Sequence, residues 1–249
     1  MQAFKDRLAK GPQLGVFCTL GSVDAVELAC QAGFDFILID AQHGLFDQAG
    51  LREAIRAVEA AGGFPVVRLP ANGLSWVEGI LDAGCPALLA PMVNSPEEAA
   101  RLVAACHYPP LGQRSLAGCR ASLRDSGYRQ SFNGRFCLIV MIEHVSAIPH
   151  VAAMAALPGV GAFFIGPSDL ASSLDAQGPG APALEDAIES IRAACELAGK
   201  PVGLMVGKAE DAKARASKGF SFLAVGTDRR SLSDAFDKTV SAWRASQKP

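Results

Sequence analysis

The chain has 249 residues, half of them hydrophobic and 19% charged, with a formal net charge of −2. That is enough for one large domain or two small ones around a sizeable core. No basic stripe or Lys/Arg run is present, so nucleic acid is not an expected partner. The apolar runs are short and broken by Gly, Pro or charge, so no segment is expected to cross a membrane.

The first stretch, MQAFKDRLAKG, is amphipathic and polar and lacks the apolar centre of a signal sequence, which predicts a cytoplasmic protein. Eight apolar runs follow: LGVFCTL (14–20), FILIDA (36–41), FPVVRLP (64–70), ALLAPMV (87–93), CLIVMIE (137–143), AFFIGP (162–167), PVGLMV (201–206) and FLAVGT (222–227). Between them lie helix-period segments: SVDAVELACQAG, QAGLREAIRAVEAAGG, LSWVEGILDAG, SPEEAARLVAACHY, SAIPHVAAMAAL, LEDAIESIRAACELAGK and KAEDAKARASKG. A last helix is predicted over about 231–246 from the same 3.6-residue spacing. Many of these helices close on Ala-Gly or Lys-Gly, which suits a left-handed C-terminal cap. Ser95-Pro96-Glu97-Glu98 opens one, with Pro at its first position.

Runs that are apolar on both faces suit parallel strands covered by helices. Eight strand–helix units in a chain of this length predict an α/β fold, a (β/α)8 TIM barrel over 1–249 as a single domain. A doubly wound open sheet would usually carry G-x-G-x-x-G after its first strand, and LGSVDA lacks it. The interval 109–136, rich in Gly, Ser and Arg, breaks the rhythm. It is predicted as a long functional loop at the N-terminal face of the barrel, with a strand-like excursion over HYPPLGQRSLAG as the alternative. Seven cysteines (Cys18, Cys30, Cys85, Cys106, Cys119, Cys137, Cys195) form no C-x-x-C pair, and buried reduced thiols are expected.

Barrel chemistry gathers where strands end. The second run leads into LIDAQHGLFD (38–47) and ends in Asp40, Gln42 and His43. The third ends in Arg68, the fifth in Glu143 followed by His144, and the sixth in Gly166-Pro167-Ser168-Asp169. The remaining ends, Thr19, Asn94, Gly207 and Thr227-Asp228, look plain. Glu143 and Asp169 close successive strands, so both carboxylates should overhang one mouth. Such a pair repels unless one is protonated or a cation lies between, and two oxygens plus waters suit a hard divalent ion. Either acid could instead cap a helix, and PSDL reads as a cap. Arg68 at the end of a buried run needs an acceptor, either on a substrate or on a structural carboxylate. His43 could serve as a general base or as a structural imidazole. The Gly166–Ser168 turn offers the N–H groups of Gly166 and Ser168 to a carboxylate. His107 and His150 are read as surface or packing residues, and His144 as pointing away from the site.

Taken in order, FDFILIDAQHGLFD, PVVRLPANG, ILDAGCPALLAPMVNSPEEAARLVAACHYPPLGQRS, VMIEHVSAI, GVGAFFIGPSDLASSL and FLAVGTDRRSL resemble the HpcH/HpaI family of metal-dependent class II pyruvate aldolases. The resemblance covers nearly the whole chain and implies a barrel of the phosphoenolpyruvate/pyruvate-binding type. It implies that Glu143 and Asp169 ligate a divalent metal ion (Mg2+, Mn2+ or Co2+), which pyruvate chelates through its keto oxygen and carboxylate. It also implies carboxylate binding by Gly166, Pro167 and Ser168, Arg68 on the keto oxygen, and His43 as acid/base. Asp82 would pair with the catalytic His of a neighbouring subunit. A homo-oligomer, a hexamer with an exchanged C-terminal helix, is implied too, with pyruvate and an aldehyde as substrates.

Four positions depart from the family pattern. Gln42 stands where Glu is common, Met141 where Gln is common, Ser115 where Gly is usual and Phe17 where many members have Trp. Gln42 and Met141 replace one charge and one hydrogen-bonding amide near the expected pyruvate site, and Gln42 and Phe17 are expected substrate-binding residues. Two other readings on the same barrel are a citrate lyase β-like enzyme cleaving a CoA thioester, using Arg114, Arg120 and Arg124, and a catalytically silent metal-binding barrel.

Overall fold

Alternation within each strand sets the architecture. Strands β1 (Gln13–Cys18), β2 (Phe36–Asp40), β3 (Pro65–Arg68), β4 (Ala87–Ala90), β5 (Cys137–Ile142), β6 (Val160–Ile165), β7 (Val202–Val206) and β8 (Phe222–Thr227) form a closed parallel barrel. The computed structural model describes residues 3–71, 73–116 and 118–247. Met1 and Gln2 of the polar start, Asn72 of PVVRLPANG and Ala117 of the long loop lie outside the described residues.

The helices are α1 (Phe4–Leu8), α2 (Val23–Gln31), α3 (Gln48–Ala60), α4 (Leu74–Asp82), α5 (Pro96–Cys106), α6 (Arg120–Arg124), α7 (Tyr128–Arg135), α8 (Val151–Ala155), α9 (Pro167–Asp175), α10 (Leu184–Leu197), α11 (Ala209–Ala216) and α12 (Asp228–Ser246). Ser22, Asp47, Ser95 and Thr227 cap α2, α3, α5 and α12 by accepting a backbone N–H from the first turn. The glycines expected to close helices (Gly33, Gly62, Gly84, Gly199, Gly219) all have positive φ.

The strand residues sort into two apolar layers. Ile37, Ile39, Val67, Leu88, Val140, Ile165 and Leu204 face the helices. Phe36, Leu38, Val66, Leu89, Ile139, Phe164 and Phe222 fill the barrel. Helix α1 closes the strand-start end. Its Phe4 is fully buried, stacked on Phe64 at 5.1 Å and edge-on to Phe36 and Phe222. Gly15 and Gly203 make room for this aromatic layer, because a Cβ at either would overlap the Phe36 or Phe222 ring.

Several elements differ from the sequence expectation. The fourth run stops at Ala90, where Pro91 has no N–H to continue the ladder. The sixth covers Val160–Ile165, because Pro167 opens α9 instead of ending the strand. Thus α9 is an additional helix before α10. The expected fifth helix is a 3-10 turn, Val145–His150, with Pro149 inside it, followed by the short α8. The 109–136 interval does cross the strand-start end, as its place between α5 and β5 requires, but it holds α6 and α7. Arg114 fastens it. Its guanidinium lies 4.5 Å from the ring centroids of both Tyr108 and Phe132, and Nη2 reaches Asp82 Oδ1 at 2.7 Å.

Candidate active site

The mouth is built around a buried ion pair that joins two strands. Register places Asp40 of β2 directly beside Arg68 of β3. Asp40 has no exposed surface, and Arg68 is 8% exposed. Arg68 donates Nε–H to Oδ1 at 2.8 Å and Nη2–H to Oδ2 at 2.6 Å. This bidentate geometry is what lets a guanidinium and a carboxylate share a dry site. The acceptor that Arg68 required is therefore a structural carboxylate, which leaves Nη1 uncommitted among the described residues. Below it, the Phe17 ring lies 4.8 Å from the guanidinium carbon and packs edge-on against Phe164.

Asp40 also organises the loop behind it. Oδ1 accepts from Gln42 N–H at 3.0 Å and from His43 N–H at 3.4 Å. The backbone of His43 is thus tied to the buried pair while its imidazole is exposed. The Gln42 amide oxygen is buried and has no hydrogen-bond partner among the described residues.

Across the mouth, Glu143 stands just past β5 and is 2% exposed. Its Oε1 accepts Met92 N–H at 2.7 Å. Its other oxygen leans on Gly166, where a Cβ would come within 2.8 Å of Oε2 and 2.6 Å of Met141 Cε. Only glycine allows β6 this close. Burial pushes the Glu143 carboxyl above its ordinary range; the Met92 N–H draws it down, and Asp169 close by pushes it up again. Asp169, exposed in the first turn of α9, faces the positive end of that helix. A buried carboxylate beside a second one is a donor set that favours a hard cation. Among the described residues, no cluster of three or more His, Cys, Asp or Glu side chains has metal-binding geometry.

One detail of the Gly166–Ser168 turn differs from expectation. Gly166 N–H is used by the sheet, donating to Ile142 O at 3.1 Å, so it is not free for a ligand. The open N–H groups in the first turn of α9 belong to Ser168 and Asp169. Asp82, at the end of α4, lies at the strand-start end of its own barrel, paired with Arg114. The structure therefore brings together Phe17, Arg68, Gln42, His43, Glu143, Gly166, Pro167, Ser168 and Asp169, but not Asp82.

Two strand ends that looked plain have positioning contacts. Asp228 accepts Thr19 N–H at 2.8 Å and Leu20 N–H at 3.1 Å, holding the end of β1 to the start of α12. Met92, behind Asn94, supplies the N–H to Glu143. An acid directly after a strand's last Thr was the available signal for Asp228; nothing in the sequence marks Met92. His107 is buried against Phe136 with Nδ1 on Val103 O, and His144 pairs with Ser146. The Cys85, Cys106, Cys137 and Cys195 thiols are pushed up to about 12 by burial, so none is a nucleophile at neutral pH. A cavity of about 450 Å³ at the opposite end includes Glu59, Arg120 and Arg124, both arginines being ion-paired to Glu59. It lacks the carboxylate pair and imidazole of the mouth.

A closed eight-stranded barrel with two acids, an arginine and a histidine at its strand ends has the layout of a barrel enzyme, whose chemistry gathers at that mouth. The HpcH/HpaI aldolase/citrate lyase family model matches residues 13–235, and the chain belongs to that family. It is 37% identical to a hydroxypyruvate/pyruvate aldolase of Agrobacterium fabrum, covering 90% of this chain and 87% of the other. It is 33% identical to a 4-hydroxy-2-oxovalerate aldolase of Novosphingobium aromaticivorans, covering 98% and 95%. A crystal structure of an HpcH/HpaI aldolase/citrate lyase family protein from Burkholderia cenocepacia superposes with a TM-score of 0.88 at 34% identity, covering 96% and 98%.

Two outcomes follow for stability. Asp40→Asn or Arg68→Met alone should cost about 3–5 kcal/mol in urea unfolding, because each strands a buried partner. The double substitution should cost clearly less than their sum, and strict additivity would show that the pair is uncoupled. For Glu143, a raised carboxyl pKa means that ionisation opposes folding of the metal-free chain. Its contribution is complete below the unfolded carboxylate range and is lost as pH rises through the raised value. In chelator-treated protein, Glu143→Gln should therefore raise Tm near pH 7, with the gap shrinking towards about pH 4. An unchanged or lower Tm near neutrality would contradict this.

Proposed function

We propose that the chain is a class II pyruvate aldolase, a carbon–carbon lyase that cleaves or forms 4-hydroxy-2-oxoacids from pyruvate and an aldehyde through the pyruvate enolate. The observation that carries this reading is the buried Glu143 beside Asp169, facing Arg68 across the mouth. Glu143 and Asp169 would hold a divalent ion, Mg2+, Mn2+ or Co2+. Bound there, the ion supplies Lewis-acid stabilisation of enolate charge.

The chain's own groups divide the remaining work. Arg68, fixed by Asp40, offers Nη1 to the keto oxygen where negative charge develops. The Ser168 N–H, at the positive end of α9, receives the pyruvate carboxylate, with Gly166 and Pro167 shaping the approach. Phe17 floors the site beneath Arg68, and Gln42 joins it as a substrate-binding residue beside His43. His43 moves the proton at the aldol hydroxyl. Lys208, past the end of β7, is exposed, unlike the desolvated amine that a Schiff-base route requires.

The CoA-thioester reading is less well supported. It called on Arg114, Arg120 and Arg124, but Arg114 is buried and the other two are paired with Glu59 at the strand-start end. Exchange of pyruvate methyl protons for deuterium in D2O tests the aldolase reading without knowledge of the aldehyde. Exchange should require a divalent ion and vanish in Glu143→Ala. Metal binding with no exchange would instead identify a silent barrel.

The chain also carries features of a homo-oligomer, for which a hexamer with an exchanged C-terminal helix is the specific proposal, each chain a single barrel over 1–249. Helix α12 buries none of its residues, and Leu232, Phe236, Val240 and Trp243 form an exposed stripe at helical spacing. Assembly would bring Asp82 of one chain to His43 of the next. The seven unpaired thiols support a cytoplasmic location, and among the described residues no helix is long and apolar enough to cross a membrane. If subunits share sites, His43→Ala and Asp82→Ala should each lose cleavage of a 4-hydroxy-2-oxoacid, and co-refolded mixtures should recover a measurable fraction. A monomer by light scattering, or mixtures as inactive as their parts, would overturn the shared site.

A further inference from the structure

Glu143 is held from two sides, and one of the holds is backbone. Met92 follows Pro91 past the end of β4, and its N–H donates to Glu143 Oε1 at 2.7 Å. Its φ is 53°, and among the described residues it is the one non-glycine with positive φ. That left-handed conformation is unfavourable for a residue with a Cβ and persists only where the surroundings impose it. Core packing of the side chain does not impose it, because Met92 is 40% exposed.

Geometry supplies the reason. The chain must leave β4, pass Glu143 and reach Ser95, the cap of α5, within a few residues. The torsion φ sets the direction of an N–H relative to the chain that continues from it. A right-handed residue at 92 could not both aim its N–H at Glu143 and enter α5 along this path. On the far side, Oε2 rests against Gly166, three residues before Asp169.

We propose that Met92 is a positioning residue for the metal-binding carboxylate: its left-handed backbone pins Oε1 of Glu143 and so presents Oε2 beside Asp169. This rests on the reading of Glu143 and Asp169 as the metal pair. The residue type matters for its backbone and not for its side chain, a distinction that substitution can test. Glycine and asparagine accept the left-handed region readily, alanine less so, and β-branched valine least.

The test is Mn2+ binding to the full chain, followed by loss of the free-ion EPR signal, for wild type, Met92→Gly, Met92→Asn, Met92→Ala and Met92→Val. Far-UV circular dichroism and Tm identify the folded variants. Met92→Ala should bind within about twofold of wild type, Met92→Gly and Met92→Asn several-fold more tightly, and Met92→Val at least tenfold more weakly. If Met92→Val does not fold, the Gly, Asn and Ala order still decides. A side-chain role inverts the series, with glycine weakest, and overturns the proposal. Equal affinities across the folded variants also overturn it. Wild type that binds no Mn2+ removes the metal-pair reading itself, and this inference with it.

Discussion

The bidentate contact between Asp40 and Arg68 is the constraint on which the mouth depends. It fixes the register of β2 against β3, since a one-residue slip would turn Asp40 outwards and leave Arg68 alone over Phe17. It holds the guanidinium in a single pose, with one nitrogen still available. Through the two N–H groups that Asp40 accepts, it also sets where Gln42 and His43 begin. A buried pair of this kind adds little net stability, because desolvation offsets most of the attraction. Its value is geometric: three side chains of the mouth take their positions from one carboxylate.

The other half of the mouth follows a different principle. Arg68 is neutralised within the fold, whereas Glu143 has a single N–H on one oxygen and a second acid nearby. Its environment disfavours the ionised state of the bare protein. On the proposed reading, a divalent ion held by Glu143 and Asp169 would offset this repulsion. The small residue at Gly166 is part of the same arrangement. It brings β6 close enough to confine the carboxylate that the next helix, through Asp169, opposes.

Much of this was legible in the sequence, for identifiable reasons. Parallel strands buried on both faces read as apolar runs, and glycine after a helical period marks its end, so the barrel was countable. Acids and bases at the ends of those runs stood out because buried strands seldom finish on charge. Asp40 was visible, but not its partner, because cross-strand register is not written in either strand alone. The polar start hid a barrel plug, since only Phe4 of α1 is fully buried and one residue makes no period. The sixth run reads on through Pro167 because FFIGP is continuously apolar, although that proline opens α9. The use of Gly166 N–H by Ile142 and the left-handed turn at Met92 are tertiary outcomes with no local signal.

The plug has a consequence for how the chain reaches this state. Phe4 touches rings from Phe36, Phe64 and Phe222, and β1 pairs with β8, so elements from the two ends of the chain meet at one spot. Contacts this distant in sequence require the loop-closure entropy of almost the entire polypeptide before they return any stabilisation. During synthesis, Phe222 leaves the ribosome long after Phe4 has done so. Until then the aromatic layer lacks one wall and β1 keeps an open edge. The ring that emerges near the beginning acquires its full set of neighbours only near the end.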